Sequence, residues 1–141
     1  MSDDLVAFLR ARYEDEETLA KAARLYSEEN GDDANWWWDH KLARSPNERH
    51  IADWSPARVL AEVDAKRRII DELGAARDNL RRSAANYAAW ANNEPEPYPD
   101  VRGSGAESLI PGLVRAVQLL ALPHASHPDY RPEWAAEAAG E

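Results

Sequence analysis

The stretch "WSPARVLAEVDAKRRIIDELGAARDNLRRSAANYAAW", Trp54–Trp90, decides the fold. Ser55 is a helix cap, and Pro56 falls at the first helical position, where its missing N–H costs nothing. Behind them Val59, Val63, Ile70, Leu73, Leu80, Tyr87 and Trp90 recur at intervals of 4, 7, 3, 7, 7 and 3. That is a heptad-like apolar stripe along one side of a helix. Gly74 interrupts it at a cost of about 1 kcal/mol relative to alanine. The spacing predicts one long helix over about 56–92 rather than two. Such a helix spans roughly 55 Å at 1.5 Å per residue, beyond the ~30 Å expected across a domain of this size. Its far end, around Tyr87 and Trp90, therefore needs cover from a helix folding back or from another subunit.

Upstream, Ser2 with Asp3 and Asp4 forms a helix start with acids in the first turn. Leu5, Phe8, Leu9 and Tyr13, then Leu19, Ala22, Ala23 and Tyr26, continue at helical spacing and predict a core-facing first helix over about 3–28. The acidic run Glu14–Glu17 interrupts that stripe and allows a bend. Residues 30–54 carry "NWWWDHK" and "ERHIADW", rich in strand-favouring aromatics, on either side of "LARSPN" with Pro46 and Asn47. They fit a small hairpin or an irregular aromatic loop.

Downstream, "NNEPEPYPDVRGSG" ends the long helix and reads as a mobile Pro/Gly linker over about 93–106. A third helix over about 107–122 places Leu109, Ile110, Leu113, Val114, Val117 and Leu120 inward. Pro111 is tolerated only in a first turn, which sets the start near Ser108. Pro123 stops it, and Pro132 opens a last short helix, "PEWAAEAA".

Composition bounds the function. The chain has 141 residues, no cysteine and a net charge of −9. The length suits a single helical domain, 1–141. Without cysteine there is no disulfide framework and no cysteine-based zinc or redox site, which fits a reducing cytoplasm. The acidic start is unlike a signal peptide, and no apolar run approaches the roughly 20 residues that span a bilayer. Residues 1–40 hold 11 acids and 4 bases, residues 41–90 hold 7 and 10, and residues 91–141 hold 8 and 3. A surface this acidic repels phosphate backbones and disfavours direct nucleic-acid binding. The simplest partner for the basic middle is the acidic ends of the same chain.

Few residues carry recognisable chemistry. "LALPHASHPDYRPEW", Leu120–Trp134, holds His124, His127 and Asp129. His50 and Asp53 lie just before the long helix, and His127 and Asp129 just after the third. If those helices are antiparallel neighbours, the four residues form a two-histidine, carboxylate-rich candidate set for zinc, iron or manganese. Against this, the sequence has no HExxH or other helical histidine pair. Prolines fix the path of this stretch, and Tyr130 and Trp134 suit a structural lock at the end of the fold. No metal or other cofactor is expected. The acidic pairs read as a solvated face, and there is no nucleophile elbow or phosphate loop. Six tryptophans are many, and Trp36, Trp37 and Trp38 stand together. They cannot all face one way on a strand. With Tyr87 and Trp90 they are the candidate interaction surface.

"HIADWSPARVLAEVDAKRRIIDEL" (His50–Leu73), "LLALPHASHPDYRPEW" (Leu119–Trp134) and the start "DDLVAFLRAR" resemble the short actinobacterial and actinophage proteins grouped as domain-of-unknown-function family 6221. The resemblance covers nearly the whole chain. It implies no activity, but it does imply a phage or mobile-element setting, in which small acidic proteins often bind a host protein. Where those proteins carry a "TPGPW" turn, this chain has "NGDDANWWW". Tyrosine usually stands at the His124 position, which counts against His124 as a required ligand.

The expectation is thus an all-α, three-helix antiparallel bundle with a C-terminal hooked segment and at most one short β-hairpin near 35–51. Its expected function is that of a non-enzymatic interaction protein that binds an unidentified protein or a second copy of itself. The alternatives are a DNA mimic, using the carboxylates of residues 1–33 and 94–107, and a metal-dependent protein using His50, His127, Asp53 and Asp129.

Overall fold

A computed structural model describes residues 3–30, 44–93 and 105–136. Helix makes up 88% of them, and none lies in a strand. The helices are α1 (Asp3–Asn30), α2 (Pro46–Asp53), α3 (Pro56–Asn93), α4 (Ala106–Ala121) and α5 (Glu133–Ala136), with a 3-10 turn at Leu122–His124. The fold class is the all-α helical bundle expected. The chain divides into two compact units, residues 1–6 with 68–141, and residues 7–67.

In the unit of residues 7–67, Phe8, Leu9, Tyr13, Ala20, Ala52 and Val63 are buried, with Ser27 as a polar member. Ion pairing accompanies this core: Arg67 of α3 donates to the Glu17 carboxylate of α1, and the Lys66 ammonium lies 5.7 Å from the centre of the Tyr13 ring. Here the stripe read from the sequence is corrected. Leu19 is 73% exposed and Tyr26 64% exposed. The inward positions are instead Tyr13, Ala20 and Ser27, seven residues apart, two turns of helix each. Helix α1 runs unbroken through Glu14–Glu17.

"ERHIADW", expected as the second arm of a hairpin, is helical. Ser45 caps α2: its hydroxyl accepts the Glu48 N–H at 3.2 Å, and Pro46 takes the first position. The Glu48 carboxylate in turn accepts the Arg44 N–H, a reciprocal arrangement close to a capping box. The Trp54 N–H closes the helix on the carbonyls of His50 and Ile51. The first arm of that hairpin lies outside the described residues, as does most of the linker read at 93–106.

In the unit of residues 1–6 and 68–141, the buried side chains are Leu5, Ile70, Leu73, Ala76, Val117, Gln118, Ala121 and Trp134. Helix α4 packs against α5 and the 3-10 turn. It starts two residues earlier than Pro111 suggested. Gly105, with φ of 67°, supplies the left-handed cap, and the Ser108 hydroxyl donates to its carbonyl at 2.8 Å. Pro111 therefore sits in the second turn, where it removes the N–H that would reach the Glu107 carbonyl. Such a position costs a helix ~3 kcal/mol; here Glu107 and Pro111 are both exposed, so water reaches the orphaned group.

Helix α3 is one helix of 38 residues passing straight through Gly74. Asn30 and Asn93 finish α1 and α3 alike: each side-chain amide donates to the carbonyl four residues back, Tyr26 at 2.8 Å and Ala89 at 2.9 Å.

Candidate functional site

The histidine-bearing tail is a chain of tight turns. Ala125 donates to the Leu122 carbonyl, His127 to His124, Tyr130 to His127 and Trp134 to Arg131, all at 2.9–3.1 Å. The prolines leave the backbone few other ways to satisfy its polar groups. Tyr130 meets Trp134 edge to face at 5.5 Å, and Trp134 is buried. The Arg131 guanidinium stacks 5.7 Å from the Trp134 ring and donates to the Asp4 carboxylate at 2.9 Å. Arg77 pairs with Asp3 at 3.5 Å. The hook thereby holds the first turn of α1, whose acids sit where the helix dipole favours them.

His127 serves this hook. Its Nδ1 accepts the Asp129 N–H at 3.2 Å, while the Asp129 carboxylate stands 3.8 Å from the same nitrogen, too far for a direct hydrogen bond. A ring nitrogen that accepts a hydrogen bond offers its lone pair to the donor, so in this geometry Nδ1 is occupied by local backbone. His50 is exposed and meets Trp54 edge to face at 6.3 Å. The Asp53 carbonyl accepts from Arg58 at 3.1 Å. His50 and Asp53 belong to one unit, His127 and Asp129 to the other. Among the described residues, no three His, Asp or Glu side chains are grouped to hold a metal ion.

The carboxylates of α1 are largely engaged within the chain. Asp3 pairs with Arg77, Asp4 with Arg131, Asp15 with Arg12 at 3.1 Å, Glu28 with Arg24 at 3.0 Å, and Glu17 with Lys21 and Arg67. Hydrogen bonds from Lys21 and Arg67 hold the Glu17 carboxyl below its ordinary pKa. Tyr13 is shifted the other way, upward, first by burial and then by the charge of Glu16. The basic middle of the chain does meet its acidic start, as the charge pattern suggested.

What remains is aromatic and apolar surface. Beyond Ala76 no residue of α3 is buried. Tyr87 is 55% exposed, and its ring lies 5.7 Å from that of Trp90. Residues 83–93 carry no charge, in a chain where 30% of residues are charged. Trp36, Trp37 and Trp38 lie outside the described residues. Sequence reasoning missed a second surface on α1: Leu19 and Tyr26, which the helical period placed on one apolar stripe, and Leu25 beside them are all exposed.

No helix among the described residues is long and apolar enough to cross a membrane. Searches of curated proteins and of solved structures return no match. A model described as a family of unknown function, DUF6221, matches residues 2–136. The protein belongs to that family.

Proposed function

We propose that this protein is a small acidic, non-enzymatic binding module that associates with a second copy or with a protein partner. Its contact surface is the far end of α3, with Tyr87 and Trp90 as anchors and Trp36, Trp37 and Trp38 as further aromatic contacts. The setting that goes with this reading is the cytoplasm of an actinobacterium or its phage.

The observation that carries the proposal is the charge-free end of α3, where a tilted Tyr–Trp ring pair stands on an otherwise Ala- and Asn-rich stretch with no buried position. Aromatic anchors on small-residue helical surface allow close approach of another backbone and supply much of the energy at interfaces. The DNA-mimic alternative draws less support, because most of the α1 carboxylates it needs are paired with the chain's own arginines and lysine. The test is sedimentation velocity of the wild type and of a Tyr87→Ala/Trp90→Ala variant, alongside pull-downs with each as bait. The expectation is a self-associated species or a retained partner that the double variant loses. A monomeric wild type with identical recoveries from both baits contradicts the proposal.

A further inference from the structure

From Tyr13 onward, α1 carries two faces of uncharged side chains rather than one. The inner one, Tyr13, Ala20 and Ser27, is buried. The outer one is Leu19, Ala22 and Tyr26 with Leu25 on its flank; Leu19, Leu25 and Tyr26 are 73%, 57% and 64% exposed, and Ala22 is exposed too. Leu19, Ala22 and Tyr26 stand at i, i+3 and i+7, the register by which one helix lies along another.

The charges on the line of this stripe are of one sign. At 100° per residue, Asp15 and Glu29 fall on the stripe's own line at its two ends, and Glu14 falls on its flank beside Leu25. Arg24 falls on the opposite side of the helix, where it pairs with Glu28, while Lys21 falls on the Leu25 flank near Glu14 and pairs with Glu17. Among the described residues, Asp15 pairs with Arg12; Glu14 and Glu29 are exposed. The outer face is thus apolar along its middle and acidic at its ends. A second copy of the same face would set like charges against each other, so the face does not suit self-pairing.

We infer that the outward face of α1, from Asp15 to Glu29, docks an amphipathic helix whose apolar stripe is bordered by lysine or arginine. Leu19 and Tyr26 are its apolar anchors. Asp15 and Glu29 set the partner's charge and speed its approach. The inference rests on the reading of the chain as a binding module but assigns a surface separate from the α3 end, and its test keeps the two apart.

The probe is a labelled synthetic helix with leucines at i, i+3, i+4 and i+7 and lysines elsewhere; its counterpart replaces lysine by glutamate. Binding is read by fluorescence anisotropy for the wild type, for Leu19→Ser/Tyr26→Ser, and for Tyr87→Ala/Trp90→Ala, with circular dichroism confirming that each variant is folded. The serine variant leaves every charge in place, so it separates anchoring from general attraction between a basic peptide and an acidic protein. The lysine peptide is expected to bind the wild type and the α3 variant alike, and at least tenfold more weakly to the serine variant. The glutamate peptide is expected not to bind. Any of these binding results would overturn the inference: no binding of the lysine peptide, equal binding of both peptides, undiminished binding to the serine variant, or loss of binding only in the α3 variant. Should the serine substitutions instead dissociate a dimer of the chain, the face belongs to a second copy and the inference falls.

Discussion

The two halves of α1 use the same amino acids in opposite ways. In the first half, Leu5, Phe8, Leu9 and Tyr13 are all buried. In the second, the leucines and the tyrosine face outward, and the core side is taken by Ala20 and Ser27. Both halves are amphipathic helix, but only the first has its large side chains covered. Hydrophobic burial contributes roughly 25 cal/mol per Å², so the first half supplies most of what the helix gives to folding. The second half keeps large apolar side chains mostly in water. An apolar face retained in water is more informative than one in a core, because solubility alone does not favour keeping it.

Substitutions can break that contrast. The largest effect is expected at Leu9, fully buried: Leu9→Ala should lose about 2–5 kcal/mol of unfolding free energy through lost transfer energy and a cavity, read from urea unfolding. Next is Ala20→Leu, which enlarges a side chain on the inner stripe and should cost about 1–3 kcal/mol through overpacking. If Ala20→Leu proves neutral, the inner stripe has been placed on the wrong side of α1.

A smaller effect concerns pH. The Glu17 carboxyl is held below its ordinary pKa in the fold, so the folded state binds fewer protons than the unfolded one around that range. Its contribution is complete above the unfolded value and is lost as pH falls through the folded one. In Glu17→Gln the decline of stability on acidification should be shallower than in the wild type, as measured by thermal unfolding across pH 3–7 (about the span over which carboxylates titrate). An unchanged slope would show that the Arg67 and Lys21 contacts are inconsequential in solution. The smallest effect is expected at Leu19: Leu19→Ala should stay within about 0.5 kcal/mol of the wild type.

Parts of this were legible in the sequence. Ser55 and Pro56 announced α3, the single interruption at Gly74 was too mild to break it, and the prolines from Pro123 onward marked the hook. The same start signal occurs ten residues earlier as Ser45–Pro46, with Glu48 completing it, yet the neighbouring tryptophans drew the reading toward a strand. A Ser-Pro pair opens a turn or a helix equally well, and the glutamate three residues after the serine is what favours the helix. The second half of α1 was misread for a different reason. Periodicity finds a stripe but not which stripe is inside, and small side chains such as Ala20 and Ser27 leave little hydrophobic signal on the buried side. The histidines could be placed on their segments but not in their roles: nothing in the order of residues says that the His127 ring accepts a backbone N–H.

The central claim is that the large side chains on the outside of α1 serve contact with another molecule rather than the fold. Urea unfolding of Leu19→Ser/Tyr26→Ser tests it most directly. The account predicts a midpoint and slope matching those of the wild type, because both side chains are already in water. A drop comparable to that of Leu9→Ala would place Leu19 and Tyr26 in a core and contradict it.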